Sequence, residues 1–304
     1  NVWTALLAWL QVRQAGGTFV LRVEDLDPDR SRPELARQQM DDLCWLGLDW
    51  DEGPEIGGPY APYVQQERTA YYAAALDRLA AHDLIYPCYC TRAEVRAAAS
   101  APHEPEDRGG YPGTCRHLTP AERQERAARG RRPSLRIRMP GTPTPIHFDD
   151  LCRGPMDEDL ASQAADFVLR RADGVHAYQL AVVVDDGMMG ITHVVRGADL
   201  LSSTARQIWL HRLLGYPPPR FGHVPLLLGN DGHRLSKRHT ALSVARLRAA
   251  GVSAPRITGA LANRAGLLSR EEPVMPGELV GLLDLSRLPR GPIMIDDQAF
   301  LQRR

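Results

Sequence analysis

Lysine is almost missing from this chain. Of its 37 basic residues only Lys237 is a lysine, and the other 36 are arginines. An excess of charge is missing too: 37 acidic residues balance the basic ones to a net charge of zero. Total charge therefore signals no nucleic-acid partner, and a surface of that kind would have to be a local patch. No stretch approaches about 18 uninterrupted apolar residues, which excludes a transmembrane helix. Neither a Walker A sequence nor a G-x-G-x-x-G is present, so nucleotide binding through either glycine-rich loop is not supported. Cysteine is scarce and odd in number, with Cys44, Cys88, Cys90, Cys115 and Cys152, an arrangement that argues against a disulfide framework. No targeting peptide is read at the start; a cytoplasmic protein with no membrane association is expected, and a monomer.

What is present is ordinary for a globular protein: 304 residues, 43% hydrophobic and 24% charged, enough for two domains at roughly 150 residues each. Trp3, Leu6, Leu7 and Leu10 recur at helical spacing within Val2–Gln14, and Gly16-Gly17 stops the helix. A strand over Thr18–Glu24, a helix over Glu34–Leu46 and a long helix over Glu67–His82 follow, a rhythm that predicts a parallel α/β sheet. From Tyr86 to about Asp159 the chain turns rich in Pro, Gly, Cys and Arg, and reads as an insertion with short strands such as Ser134–Arg138. The α/β pattern is expected to resume with strands over Asp166–Arg171, Tyr178–Asp185 and Ile191–Val195. A helix over Leu200–Leu214, a strand over Val224–Leu228 and helical segments after Thr240 complete the reading.

Several groups of residues carry chemistry. Leu21-Arg22-Val23-Glu24-Asp25-Leu26-Asp27-Pro28-Asp29-Arg30 ends its strand in a burst of carboxylates. A calcium loop is excluded, because the sixth position is Arg30 rather than Gly and the twelfth is Ala36 rather than Glu. Open α/β sheets bind ligands beyond the carboxyl ends of their strands, where Glu24 would face an ammonium group; a solvated turn capping the next helix would look the same. Cys88-Tyr89-Cys90 and Tyr111-Pro112-Gly113-Thr114-Cys115 offer three thiolates to a tetrahedral zinc, with Tyr111, His103 or His117 as a fourth ligand. Donor chemistry alone favours histidine for that place, and three thiolates favour a structural role. Asp185-Asp186 is expected to close an apolar strand, Ala181–Val184. Arg196, at a strand end, suits bidentate recognition of a carboxylate, although arginine is so common here that an ordinary surface residue is the plain alternative. Gly232-His233-Arg234-Leu235-Ser236-Lys237-Arg238-His239 is a polar loop with the sole lysine at its centre, and a mobile ammonium there can follow a moving phosphate where a guanidinium fork would fix one geometry. Eight arginines between Arg116 and Arg138 would suit a phosphate backbone, or simply a solvated helical face.

Taken together these residues resemble the glutamyl branch of the class I aminoacyl-tRNA synthetases. Arg234-Leu235-Ser236-Lys237-Arg238 looks like the KMSKS-type signature, and Arg22-Val23-Glu24-Asp25-Leu26-Asp27 resembles the R-[IV]-E-D-x-D segment. Val183–Asp186, Ile191-Thr192-His193-Val194-Val195-Arg196-Gly197 and Asp199–Thr204 match in the family's order. Within the branch, Val194–Leu201 and the short stretch after Lys237 are most like a paralogue that has no anticodon-binding domain and glutamylates the queuosine base of tRNA(Asp). The resemblance implies a Rossmann-like parallel sheet divided into 1–84 and 161–240, a zinc-containing, acceptor-binding-like insertion over 85–160, and a helical C-terminal segment over 241–304. It implies Glu24 for the α-ammonium of L-glutamate, Tyr178 as a hydrogen-bonding side chain and Arg196 for the γ-carboxylate. It places Arg234, Ser236 and Lys237 on ATP, with Lys237 as the catalytic group and Mg²⁺ accompanying the nucleotide, and it makes Cys88, Cys90, Tyr111 and Cys115 the zinc ligands. The family's HIGH-type signature is not among these residues; Asn1 would be the last letter of an H-x-G-N version, so the rest of the ATP site is expected upstream. The rival expectations are a truncated glutamyl-tRNA synthetase charging tRNA(Glu), and a non-catalytic, zinc-braced tRNA-binding paralogue.

Overall fold

The computed structural model describes residues 2–29, 31–99, 111–160, 166–229, 231–233 and 243–295. Helix α1 (Val2–Gln14) buries Trp3, Leu6, Leu7, Trp9 and Leu10 on the face that the spacing marks. Its partners come mostly from the far end of the chain: Val244 and Leu247 of α8 (Val244–Ala249), Ile257 and Leu261 of α9 (Ala254–Arg264), and Leu279, Leu283 and Leu285. Trp3 Nε1 donates to the Pro225 carbonyl at 2.8 Å, tying the helix to the segment after β7 (Arg220–Val224).

The segment expected as the strand Thr18–Glu24 is extended but makes only isolated parallel bridges, Val20 with Glu52 and Val23 with Val64. It changes partner halfway. Leu21 N donates to Glu52 O, whereas Val23 N donates to Tyr63 O and Gln65 N to Val23 O, so no continuous ladder builds. Helix α2 (Pro33–Trp45) and helix α3 (Thr69–Ala81), the latter led in by a 3-10 turn over Gln65–Arg68, lie where the pattern puts them.

The middle of the chain is antiparallel. Strands β1 (Ile85–Cys88), β2 (Ser134–Ile137) and β5 (Val168–Arg170) form one sheet, and β3 (Pro145–Asp150) and β4 (Gly154–Asp159) form a hairpin. Between β1 and β2 run α4 (Arg92–Ala99) and α5 (Pro120–Ala128). The start of α5 is a capping box, Thr119 accepting from Glu122 N while the Glu122 carboxylate accepts from Thr119 N.

A correction falls at Tyr178–Asp185, expected as a strand. It is helix α6 (Tyr178–Met188). A short apolar run that is buried on every side reads alike as a strand or as a core helix, and Ala181–Val184 is buried in this way. Asp185 and Asp186 are therefore not a strand end but two buried carboxylates inside the helix. The helix packs with α3 and with α7 (Thr204–Leu213), which follows a 3-10 stretch over Ala198–Ser203. Gly187 lets Tyr216, just beyond α7, lie against the helix: a Cβ there would lie 2.3 Å from the Tyr216 ring.

Strand β6 (His193–Gly197) pairs in parallel with β7 (Arg220–Val224). The strand expected over Val224–Leu228 breaks after Val224, where Pro225 cannot donate to a ladder, and resumes as the short β8 (Leu227–Leu228), which pairs with β9 (Ile293–Met294). Among the described residues no helix is long and apolar enough to cross a membrane.

Candidate active site

The parallel register decides the site. It sets Arg196 of β6 opposite His223 of β7, and Arg196 is 8% exposed. Its guanidinium is held by neutral groups. Nε donates to His223 Nε2 at 3.0 Å, Nη1 to Gln207 Oε1 at 2.6 Å, and Nη2 to Thr204 Oγ1 at 2.8 Å and more weakly to Leu200 O at 3.4 Å. Its Cζ lies 4.7 Å from the centre of the Phe221 ring. Burial pulls the Arg196 pKa below its ordinary value, opposed by the neighbouring Tyr178 oxygen and the Asp186 charge. A Cβ on Gly197 next to it would sit 2.5 Å from Asp199 Oδ1, so a side chain there requires the Asp199 carboxylate to shift.

Tyr178 opens helix α6 and lies beside Arg196 and within the field of Glu24. Burial pushes its phenol up, Arg196 pulls it down, and Glu24 pushes it up again. The structure thus sets Tyr178 beside Arg196 and within the field of Glu24, which precedes both by more than 150 residues in the chain. Glu24 is half-exposed and accepts from Arg22 Nη2 at 3.0 Å. Arg22 also donates to Asp186 Oδ1 at 2.9 Å, with its Nε 3.5 Å from Asp185 Oδ2. Three carboxylates raise the pKa of this guanidinium against the opposing effect of burial. Arg234, Ser236 and Lys237 lie outside the described residues, as do Asn1, Arg30 and His103.

Sequence reading missed Gln207, Thr204 as a ligand of Arg196, His223 and Asp150. A histidine set within the apolar run Phe221–Val224 was the available signal for one of them; nothing in the sequence marks the others.

The cysteines form a second centre. The Sγ atoms of Cys88, Cys90 and Cys115 lie within 4.8 Å of one another. Tyr111 Oη is the neighbouring oxygen: Cys88 Sγ donates to it at 3.3 Å, and Cys115 N donates to it at 2.6 Å. Burial first, then the Cys115 and Cys88 sulfurs, push the Cys90 thiol up to about 12. Three thiolates this close require a cation between them, so the donor set fits a thiophilic metal such as zinc. Arg126 Nη1 donates to Cys115 Sγ at 3.6 Å, and Arg136 stacks over the Tyr111 ring at 3.9 Å, cations that suit a sulfur cluster of negative charge. Much of the arginine run is used internally. Arg116 pairs with Asp166, Arg136 and Arg138 donate to the carbonyls of Asp166 and Arg116, and Arg129 and Arg131 pair with Glu125 and Glu94.

A buried guanidinium without a carboxylate hydrogen-bond partner, with a tyrosine beside it at a helix start, lies in a mixed α/β fold. The chain belongs to the class I tRNA synthetases (E and Q), whose catalytic-domain family matches residues 1–271, and it is a ligase of the aminoacyl-tRNA synthetase type. It is 57% identical over 296 residues to a protein named glutamyl-Q tRNA(Asp) synthetase from Symbiobacterium thermophilum, covering 97% of this chain and 91% of that one. A protein of the same name from Nitratidesulfovibrio vulgaris is 55% identical, with 97% and 90% covered. Among solved structures, a glutamate tRNA ligase from Elizabethkingia meningosepticum, in complex with its amino acid, superposes with a TM-score of 0.83 at 28% identity. That match covers 98% of this chain and 64% of the ligase.

Proposed function

We propose that this enzyme activates L-glutamate with ATP and transfers it to the queuosine base of tRNA(Asp). The observation that carries the reading is Arg196, a buried cation whose hydrogen-bond partners among the described residues are all neutral. Such a cation is costly to fold around, and a substrate carboxylate supplies the charge it lacks. The γ-carboxylate of glutamate takes that place, Tyr178 adds a hydrogen bond, and Glu24 receives the α-ammonium. Glutamine is rejected because its amide would leave the guanidinium unneutralised.

The α-carboxylate is already a nucleophile and needs no general base. It attacks the α-phosphorus of ATP, the bond to the bridging oxygen breaks, and pyrophosphate leaves. Positioning and charge stabilisation are the protein's share. ATP comes with Mg²⁺, as in class I synthetases generally, and Lys237 with Arg234 and Ser236 is assigned to its phosphates. A hydroxyl of the queuosine cyclopentene-diol then attacks the acyl carbon and AMP departs. The relatives named for tRNA(Asp) support this acceptor. Cys88, Cys90, Cys115 and Tyr111 are assigned one structural zinc, bracing an insertion over 85–160 between the halves 1–84 and 161–240 of a Rossmann-like domain, with 241–304 as its helical C-terminal segment.

The test supplies the full-length enzyme with ATP, radiolabelled glutamate and tRNA(Asp) with or without queuosine. Label only on the queuosine-containing tRNA is the expected result. Label on tRNA(Glu) overturns the acceptor, and absence of glutamate-dependent pyrophosphate exchange overturns the activity. Lys237→Ala is expected to lower that exchange by about 100-fold or more while leaving the unfolding transition in place.

A further inference from the structure

The groups behind Arg196 form a chain of their own. His223 Nε2 faces Arg196, and His223 Nδ1 meets Asp150 Oδ2 at 2.5 Å, at the end of β3. We propose that Asp150 and His223 are positioning residues: they set the proton on His223 so that its Nε2 accepts from Arg196, and this fixes the guanidinium for a side-chain carboxylate. The proposal rests on the reading of Arg196 as the γ-carboxylate ligand.

Only one arrangement of protons satisfies these contacts. A guanidinium Nε can only donate, so His223 Nε2, 3.0 Å away, must be bare. The neutral ring then carries its proton on Nδ1, facing Asp150. Asp150 is committed to receiving it. Its Oδ1 accepts from the backbone N–H groups of Cys152 at 2.9 Å, Arg153 at 3.0 Å and His223 at 3.2 Å, which leaves Oδ2 for the ring. Asp150 and His223 are both buried. Burial pushes the histidine down, as does the Arg196 charge, while the Asp150 bond opposes them. Burial pushes Asp150 up, but the bonds from His223 and from Cys152 N bring it below the usual carboxylate value. An ionised Asp150 and a neutral His223 follow. With Nε, Nη1 and Nη2 each anchored on a neutral acceptor, the guanidinium plane is fixed and its charge is left for the ligand.

Asp150→Asn tests the proton directly. The three backbone donors at Oδ1 hold the amide oxygen there, so the amide NH₂ faces His223 Nδ1. That nitrogen must then accept, Nε2 becomes protonated, and an N–H meets the Arg196 Nε–H. In glutamate-dependent pyrophosphate exchange by the full-length enzyme, the glutamate KM is expected to rise about tenfold while the ATP KM stays put, and discrimination against glutamine falls. His223→Gln, whose amide oxygen reaches the place of Nε2, is expected to keep the glutamate KM within about threefold. An Asp150→Asn enzyme with the wild-type glutamate KM overturns the proposal, and so does an equal rise in both variants, which would mean packing alone. Nitrogen NMR of the wild-type protein decides independently of either variant's folding: His223 protonated on Nδ1 is expected, and protonation on Nε2 overturns it. Arg196→Gln separates the two levels. If it leaves the glutamate KM unchanged, the reading of the site falls together with the relay. If it raises KM while Asp150→Asn does not, the relay alone falls.

Discussion

Arg68 and Arg196 are both buried, and they are held in opposite ways. Arg68 is 1% exposed and donates through Nε to Asp185 Oδ1 at 2.6 Å, with Nη1 on the carbonyls of Tyr60 and Pro62. The other oxygen of Asp185 accepts from Gln65 Nε2 at 2.8 Å and Tyr72 Oη at 2.9 Å. Every charge in that cluster has its opposite beside it. Arg196 hydrogen-bonds to neutral groups only, and the Asp186 and Asp150 charges act on it without a hydrogen bond. A buried cation matched by a carboxylate belongs to the architecture, since its partner has already neutralised it; a buried cation matched only by neutral acceptors keeps an electrostatic cost that a ligand can relieve. The same residue type at similar burial is thus neutralised in one place and, in the function proposed above, left for a ligand in the other.

The comparison is broken most severely at Arg68. Arg68→Met would leave Asp185, which is fully buried, without its closest cation, with Arg22 Nε at 3.5 Å the nearest remaining one. Removing one partner of a buried pair costs about 3–5 kcal/mol. Denaturant unfolding measures it, and a loss below about 1 kcal/mol would show that Arg22 alone can hold the carboxylate.

His211 sharpens the contrast from the other side. Both of its ring nitrogens are buried and without a hydrogen-bond partner among the described residues, and burial lowers its pKa from 6.5 to about 4. The folded pKa is depressed, so the contribution is present above pH 6.5 and is lost as the pH falls towards 4. The full loss is about 3 kcal/mol, at 1.36 kcal/mol per unit. His211→Phe, compared with the wild type from pH 7 to 4 by denaturant titration, is expected to lose that much less; parallel curves would mean that the imidazolium finds a partner.

Arg196→Met is the same substitution as at Arg68, applied to the other kind of site. No carboxylate is abandoned, and Thr204 Oγ1 lies 3.1 Å from His223 Nε2, ready to donate to it. Unfolding free energy is expected to fall by less than about 2 kcal/mol, the cost of neutral groups left short of a bond. A loss matching that of Arg68→Met would erase the distinction.

This distinction was partly legible in the sequence. Arg196 could be singled out because it ends a strand, and Glu24 because carboxylates crowd after Val23. Cys88, Cys90 and Cys115 could be grouped because they are near in sequence, and the structure converges their sulfurs. Asp185 and Asp186 were misplaced with their strand, because Ala181–Val184 is apolar on all sides and carries no period to separate helix from strand. Asp150 and His223 were invisible for a different reason. Their roles arise from the β6–β7 register and from a turn after β3, contacts between residues 73 apart in the chain. The continuous parallel sheet expected for the α/β pattern is reduced, among the described residues, to two bridges in the first half, where Val20 and Val23 pair with different segments, and to the β6–β7 and β8–β9 pairs further on.

The smallest effect is expected at the surface. Arg129 and Glu125 stand one turn apart on and just beyond α5, 2.5 Å from each other, both side chains more than 60% exposed. By distance this pair is as close as Arg68 and Asp185, yet water solvates each charge whether or not the other is present. Arg129→Ala is therefore expected to cost no more than about 0.5 kcal/mol in denaturant unfolding. A loss above about 1 kcal/mol would show that distance, not burial, sets the worth of these pairs. The same variant asks whether this arginine-rich face meets phosphate. If it does, affinity for tRNA falls and the salt slope of binding shrinks by about one, while glutamate-dependent pyrophosphate exchange stays at the wild-type level, because adenylate formation does not involve the acceptor.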